Sequence, residues 1–138
     1  MGRKLDLRDP KGFNDKLQWL KLNDRKPEYV GWVDKVKAKE LAGSVIGNEH
    51  IVPLIAVWYD SESIDFQKIP DVCVLKCNHD QGSTIIYRRG ISDEAAIRQH
   101  FSRRLLRNPY SSTREWPYSQ VKPCILCEKY MADHIIDY

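Results

Sequence analysis

Two short apolar runs, Val72-Cys73-Val74-Leu75-Lys76-Cys77 and Ser83-Thr84-Ile85-Ile86-Tyr87-Arg88, constrain this chain more than any other stretch. Both are rich in β-branched or apolar residues, and a polar five-residue loop containing Gly82 joins them, the pattern of a β-hairpin with a longer loop. Alternation of period two sets Val72, Val74 and Lys76 on one face and Cys73, Leu75 and Cys77 on the other. A helix is expected next. Ser92 suits an N-cap, Asp93 and Glu94 its first turn, Ile97, Phe101 and Leu105 a buried stripe, and Arg103, Arg104 and Arg107 its C-terminal end. Asn108-Pro109 ends it. Residues 110–117 read as a polar, aromatic loop, and residues 121–127 as a third strand whose Pro123 marks an edge position or an irregular entry. The order is β-β-α-β, and the Cys-Leu-Cys face is the one that can pack on the helix.

Upstream, Phe13, Leu17 and Leu20 recur at helical spacing, with Trp19 and Leu22 widening the stripe, so a helix of about three turns is expected. Residues 29–47 read as a second helix with Val33, Val36, Leu41 and Val45 near one side and Gly47 as its stop. Residues 51–58 are too short and too β-branched for a helix, so a buried strand entered or broken at Pro53 is expected. Residues 61–70 read as a helical turn or loop. The fold class is α+β, in 138 residues that fit one domain or a piece of a larger one.

Charge excludes little but ranks partners. Lysine and arginine total 22 against 19 acidic residues, a net charge of +3, which permits an anionic ligand without demanding nucleic acid or an anionic membrane. Arg98, Arg103, Arg104 and Arg107 are read as solvating a helix, and no nucleic-acid partner is expected. No apolar run reaches the length of a membrane span and no signal-peptide core is visible, so a cytoplasmic protein is expected. Of the four cysteines, Cys73 and Cys77 on one strand stand about 13 Å apart, too far to share an ion. Cys124 and Cys127 on a strand point to opposite faces. No metal site is expected, and the cysteines read as reduced, small core residues.

The hairpin face of two valines and one lysine suits a flat apolar ring beside an anion, as in ATP. Gly82 lets the loop turn its N–H groups inward as an anion nest, and the Ser83 and Thr84 hydroxyls add donors. Asp80 is expected to face solvent or to accept loop N–H groups. Glu128-Lys129-Tyr130-Met131 offers a second wall. Neither GxxxxGK[ST] nor GxGxxG is present.

Nearly the whole chain resembles the TupA-like branch of the ATP-grasp superfamily. The resemblance is carried by Asp9-Pro10-Lys11-Gly12-Phe13-Asn14-Asp15-Lys16-Leu17-Gln18-Trp19-Leu20-Lys21-Leu22, by Val33-Asp34-Lys35, by Val74-Leu75-Lys76-Cys77-Asn78-His79-Asp80, by Arg114-Glu115-Trp116-Pro117-Tyr118, and by Lys122-Pro123 with Glu128-Lys129-Tyr130. Gly12 replaces the family's usual threonine, and Gln81 a small residue. The resemblance implies ATP held between two α+β subdomains, with residues 1–70 as a pre-lid region, 71–131 as the small lid subdomain with its hinge, and 132–138 as the start of a larger subdomain. By position, Lys76 is similar to the strand lysine that contacts phosphate and Lys35 to an earlier lysine facing the nucleotide. The loop from His79 through Gly82 to Ser83 is similar to a flexible phosphate cover. Glu128 to Met131 resembles the hinge, where the backbone of Lys129 and Met131 reads the adenine edge and Glu128 accepts from the exocyclic amine.

The implied activity is ATP-dependent joining of a carboxylate to an amine through an acyl phosphate with Mg²⁺, in cell-surface polysaccharide biosynthesis on an acidic polymer or an amino acid. The resemblance places the Mg²⁺ carboxylates and a catalytic arginine in the larger subdomain. The chain is therefore expected to be the ATP-binding front half, lacking the C-terminal catalytic subdomain and inactive alone, and no catalytic residue is assigned. The alternatives are a non-catalytic remnant or interaction domain, and the glycosyltransferase label often given to such proteins, although an Asp-x-Asp motif is missing.

Overall fold

The computed structural model describes residues 4–132, so the expected start of a larger subdomain lies, from residue 133 on, outside the described residues. The hairpin forms as β2 (Val72–Cys77) and β3 (Ile85–Arg88), antiparallel, with Cys73 opposite Tyr87 and Val74 opposite Ile86. β3 begins two residues later than the apolar run because Ser83 is drawn into the loop, where its hydroxyl accepts from the Cys77 N–H at 2.9 Å. Together with β1 (Leu54–Trp58) and β4 (Ile125–Lys129) these strands make one antiparallel sheet in the order β1-β4-β2-β3. The α+β class and the β-β-α-β run hold, and β1 from the first half of the chain completes the same sheet.

The third strand differs from its expected span of 121–127. Residues 121–124 are irregular, and β4 starts at Ile125. β4 is not an edge strand, because both sides are paired: Leu75 stands opposite Cys127 and Val57 opposite Leu126. Pro123 precedes the ladder, where its missing N–H costs no pairing.

α4 (Glu94–Leu105) packs on the face predicted for it. Cys73, Leu75, Cys77, Tyr87, Ile125 and Cys127 are buried with Ile97 and Phe101, and Leu105 packs against them. The four thiols are free and buried. Asp93 rather than Ser92 caps α4, accepting from the Ala96 N–H at 3.0 Å, while the Ser92 hydroxyl accepts from the Arg88 N–H at 2.9 Å. The loop between β1 and β2 contributes Ile64, Phe66 and Ile69 to the core. Two arginines hold that loop, Arg98 donating to the carbonyls of Ser61 and Ile64 at 2.7 and 2.8 Å and Arg89 to those of Phe66 and Ile69 at 3.0 and 2.6 Å.

The helical first half breaks once more than expected. In place of one helix over 29–47 there are α2 (Glu28–Val33) and α3 (Lys35–Ile46), because Asp34 adopts extended backbone and accepts from the Val36 N–H at 2.9 Å as the cap of α3. Gly47 ends α3 with φ of 93°, a left-handed value that other residues rarely adopt. α1 (Phe13–Asn23) forms as expected, yet Phe13 is 79 % exposed and Leu17, Trp19 and Leu20 are also exposed, while Asp15 is its buried residue. A short α5 (Tyr110–Thr113) and a 3-10 turn (Trp116–Gln120) occupy much of what read as loop.

Candidate functional site

Strand register builds the site. Val74 lies opposite Glu128 and Lys76 opposite Leu126, so alternation gathers Val74, Lys76, Leu126 and Glu128 on the sheet face away from α4. Lys76 Nζ stands 2.6 Å from Glu128 Oε2. A second lysine reaches the other oxygen: Lys39 Nζ from α3 lies 2.8 Å from Glu128 Oε1 and donates to the Val52 carbonyl at 2.7 Å. Its approach to Oε1 is an ion pair without hydrogen-bond alignment. The carboxylate is thus clamped between two ammonium groups with its side chain only 7 % accessible, against 18 % for Lys39 and 24 % for Lys76.

Lys35, one helical turn before Lys39, points to the loop after β2. Its Nζ donates to the Asp80 carbonyl at 2.5 Å and to the Asn78 carbonyl at 3.3 Å, and its N–H donates to Asn78 O at 3.1 Å. Burial pulls the Lys35 ammonium below the usual lysine value, opposed by the Asp80 charge and reinforced by Lys76. Two ammonium groups therefore border the Glu128 carboxylate while Lys35 stands beside the Asp80 charge, and the surplus positive charge at the clamp favours an anion there.

The remaining loop residues turn inward. Asp80 is buried rather than solvent-facing, and its partners are side chains instead of loop N–H groups: the Ser83 hydroxyl donates to Oδ1 at 2.5 Å, and Arg104 lies 3.4 Å from Oδ2. The Gly82 carbonyl accepts from Arg104, with φ at Gly82 of 78°. His79 is buried and donates from Nε2 to the Arg107 carbonyl at 3.0 Å. Burial holds its imidazole below the usual histidine value, against the opposing pull of Asp80. Neutral Nδ1 faces Asn78 Oδ1, which already accepts from the Cys124 N–H at 2.8 Å.

The structure thus brings Lys35, Lys76 and Glu128 around one face and commits the side chains of His79 and Ser83 to the loop's own interior. Lys129 and Met131 are exposed at and beyond the end of β4. The Lys129 N–H donates to the Pro53 carbonyl at 3.0 Å, so it is no donor for a ligand. Lys39 and Asn78 were missed as site residues. Lys39 had a signal, four residues after Lys35 and so on the same helix face. Asn78 stood in a string that carries the resemblance, but its role was not legible there, since its amide bridges to the Lys122 carbonyl at 3.0 Å, far away in sequence.

This arrangement can hold a polyanion over an apolar strip. The lysines and half-buried Val72 and Val74 fit a nucleotide's phosphates and base. The residues do not fit a divalent cation: among those described, no group of three acidic, histidine or cysteine side chains is placed to hold one.

A family model described as TupA-like ATPgrasp matches residues 15–137. No curated protein and no solved structure matches the chain.

Proposed function

Because this chain belongs to the TupA-like ATPgrasp family, we propose that it forms the ATP-binding portion of an ATP-dependent carboxylate–amine ligase that acts in cell-surface polysaccharide biosynthesis. The observation that carries the reading is the Lys39–Glu128–Lys76 clamp, with Lys35 beside it, on the sheet face that α4 leaves uncovered. ATP-grasp proteins use ATP with Mg²⁺, and ATP, when bound, supplies the phosphoryl group that activates a carboxylate toward an amine.

This chain's own residues bind and orient. Lys76 rests on Glu128 and is the ammonium group free to turn to a phosphate, since Lys39 continues to neutralise Glu128 when Lys76 leaves. Lys35 fixes the loop backbone at Asn78 and Asp80 and adds positive charge at its base. Val72 and Val74 offer the apolar surface beside Lys76, and Met131, two residues beyond the end of β4, is the residue through which the hinge backbone reaches the base. Glu128, with both oxygens on lysines, holds charge in place more readily than it reads an exocyclic amine. A cytoplasmic location belongs to the same proposal; no helix among the described residues is long and apolar enough to cross a membrane.

Isothermal titration of the chain with Mg-ATP tests the reading. Binding is expected, weakened about tenfold or more by Lys76→Ala, the scale of one charge-assisted hydrogen bond. No heat, or heat that Lys76→Ala leaves unchanged, sinks it and favours a non-catalytic domain.

A further inference from the structure

At the C-terminal end of α4 lies a cleft of about 490 Å³ that the lysine face does not include. Its size is within the range of small-molecule sites. Two strings that carried the resemblance meet there: Asp80 of Leu-Lys-Cys-Asn-His-Asp lines one side, and Glu115 and Tyr118 of Arg-Glu-Trp-Pro-Tyr line the other, with Arg104, Arg107 and Thr113 between.

Most charges in the cleft are already matched. Arg104 is spent on Asp80 and the Gly82 carbonyl, and Glu115 lies 3.6 Å from Lys21. Arg107 differs, because its guanidinium makes no hydrogen bond or ion pair among the described residues. Its backbone is nonetheless fixed, the N–H donating to Arg104 O at 3.0 Å and the carbonyl accepting from the buried His79 ring at 3.0 Å. Thr113 Oγ1 accepts from the Glu115 N–H at 3.3 Å and keeps its own hydrogen to donate. The Tyr118 hydroxyl has no hydrogen-bond partner among the described residues, and burial followed by the Glu115 charge holds it above the usual tyrosine value, so it stays a donor. Beside the side-chain amides of Gln81 and Asn108, the uncommitted groups include one planar cation and two hydroxyl donors, a set that matches a carboxylate.

We propose that this cleft binds a small carboxylate-bearing molecule, anchored on the Arg107 guanidinium with the Thr113 and Tyr118 hydroxyls as further donors. Its role as the site of the ligase's carboxylate substrate rests on the reading above; binding itself rests on the cleft alone. The lysine face and the cleft share the 78–83 loop, whose backbone Lys35 holds from one side and whose Asp80 and Gly82 Arg104 holds from the other. The loop thus borders the cleft through His79, Asp80 and Gln81 and meets Lys35 through its backbone.

The test is titration of the ¹⁵N-labelled chain with succinate, L-glutamate and inorganic phosphate, followed by amide chemical shifts. Saturable shifts at Gln81, Arg107 and Thr113 with succinate or L-glutamate are expected. Arg107→Ala should raise the half-saturating concentration about tenfold, with Arg107→Lys recovering part of it. Arg107 is exposed, so both variants should retain the parent amide spectrum. No saturable shift, shifts that Arg107→Ala leaves unaltered, or saturation by phosphate alone overturns the proposal. Mg-ATP titration of Arg107→Ala separates the two readings: loss of carboxylate binding with ATP binding intact supports the cleft, and carboxylate binding without any ATP binding refutes only the nucleotide reading.

Discussion

Replacing Glu128 by glutamine isolates what the two-lysine clamp is worth, because the side chain keeps its shape and loses its charge. A fully buried pair broken on one side costs about 3–5 kcal/mol, and an exposed pair about 0–1 kcal/mol. Glu128 is nearly buried while Lys39 and Lys76 keep a route to water, so the change belongs between these limits. The loss should be about 2–3 kcal/mol, made of lost attraction at two contacts and of two ammonium groups left side by side. Against a total stability of roughly 5–15 kcal/mol that is a large fraction. Urea unfolding at pH 7 should show the midpoint falling by about 1–2 M with little change in slope, given slopes of about 1–3 kcal/mol per M. Lys39→Met should then cost less in the Glu128→Gln variant than in the parent, since it relieves repulsion there. Mg-ATP affinity should move the opposite way from stability, holding or improving, because Lys76 no longer has to leave a carboxylate. A stability loss below about 0.5 kcal/mol would place the clamp with exposed pairs and refute the reasoning. Additive effects of Lys39→Met and Glu128→Gln would do the same.

Two further outcomes follow from buried titratable groups. The folded-state value of His79 lies below its unfolded one, so the unfolded chain takes up the proton first and stability falls as pH drops below about 6.5, by up to about 1.4 kcal/mol per pH unit; denaturant midpoints from pH 7.5 to 5 should show a slope that His79→Gln removes, and a slope kept in that variant assigns it to other groups. Burial pushes the Cys77 thiol up to about 11 and the Cys124 thiol up to about 12, and all four cysteines are buried. Iodoacetamide at pH 7.5 should therefore label the native chain far more slowly than the urea-unfolded chain, read by mass spectrometry, and rapid native labelling at either residue would contradict the packing.

Local pattern carried the β-strands, α4 and the division of the hairpin into a packed and an open face. These features depend on alternation and helical spacing within ten or so residues, and Val72–Cys77 and the Ile97–Phe101 stripe state them directly. The break at Asp34 was misread because an N-cap inside a run of helix formers looks like one more helical residue until its extended backbone is seen. The apolar stripe of α1 was legible as a helix, but its exposure was not, since spacing gives a face and not what meets it.

By itself, then, the sequence determined the element types and placed Lys76 beside two valines on one face. Tertiary structure decided what surrounds that lysine. β4 enters between β1 and β2 rather than at an edge, which sets Glu128 opposite Val74, and α3 then brings Lys39 to the other carboxylate oxygen. The same folding turns Asp80, His79 and Ser83 inward, away from the roles their loop suggested. The reason is that strand order and charge pairing join residues far apart along the chain, as Lys39 and Lys76 are from Glu128: each is fixed by burial and by Coulomb attraction in space, and neither leaves a periodic trace in the sequence.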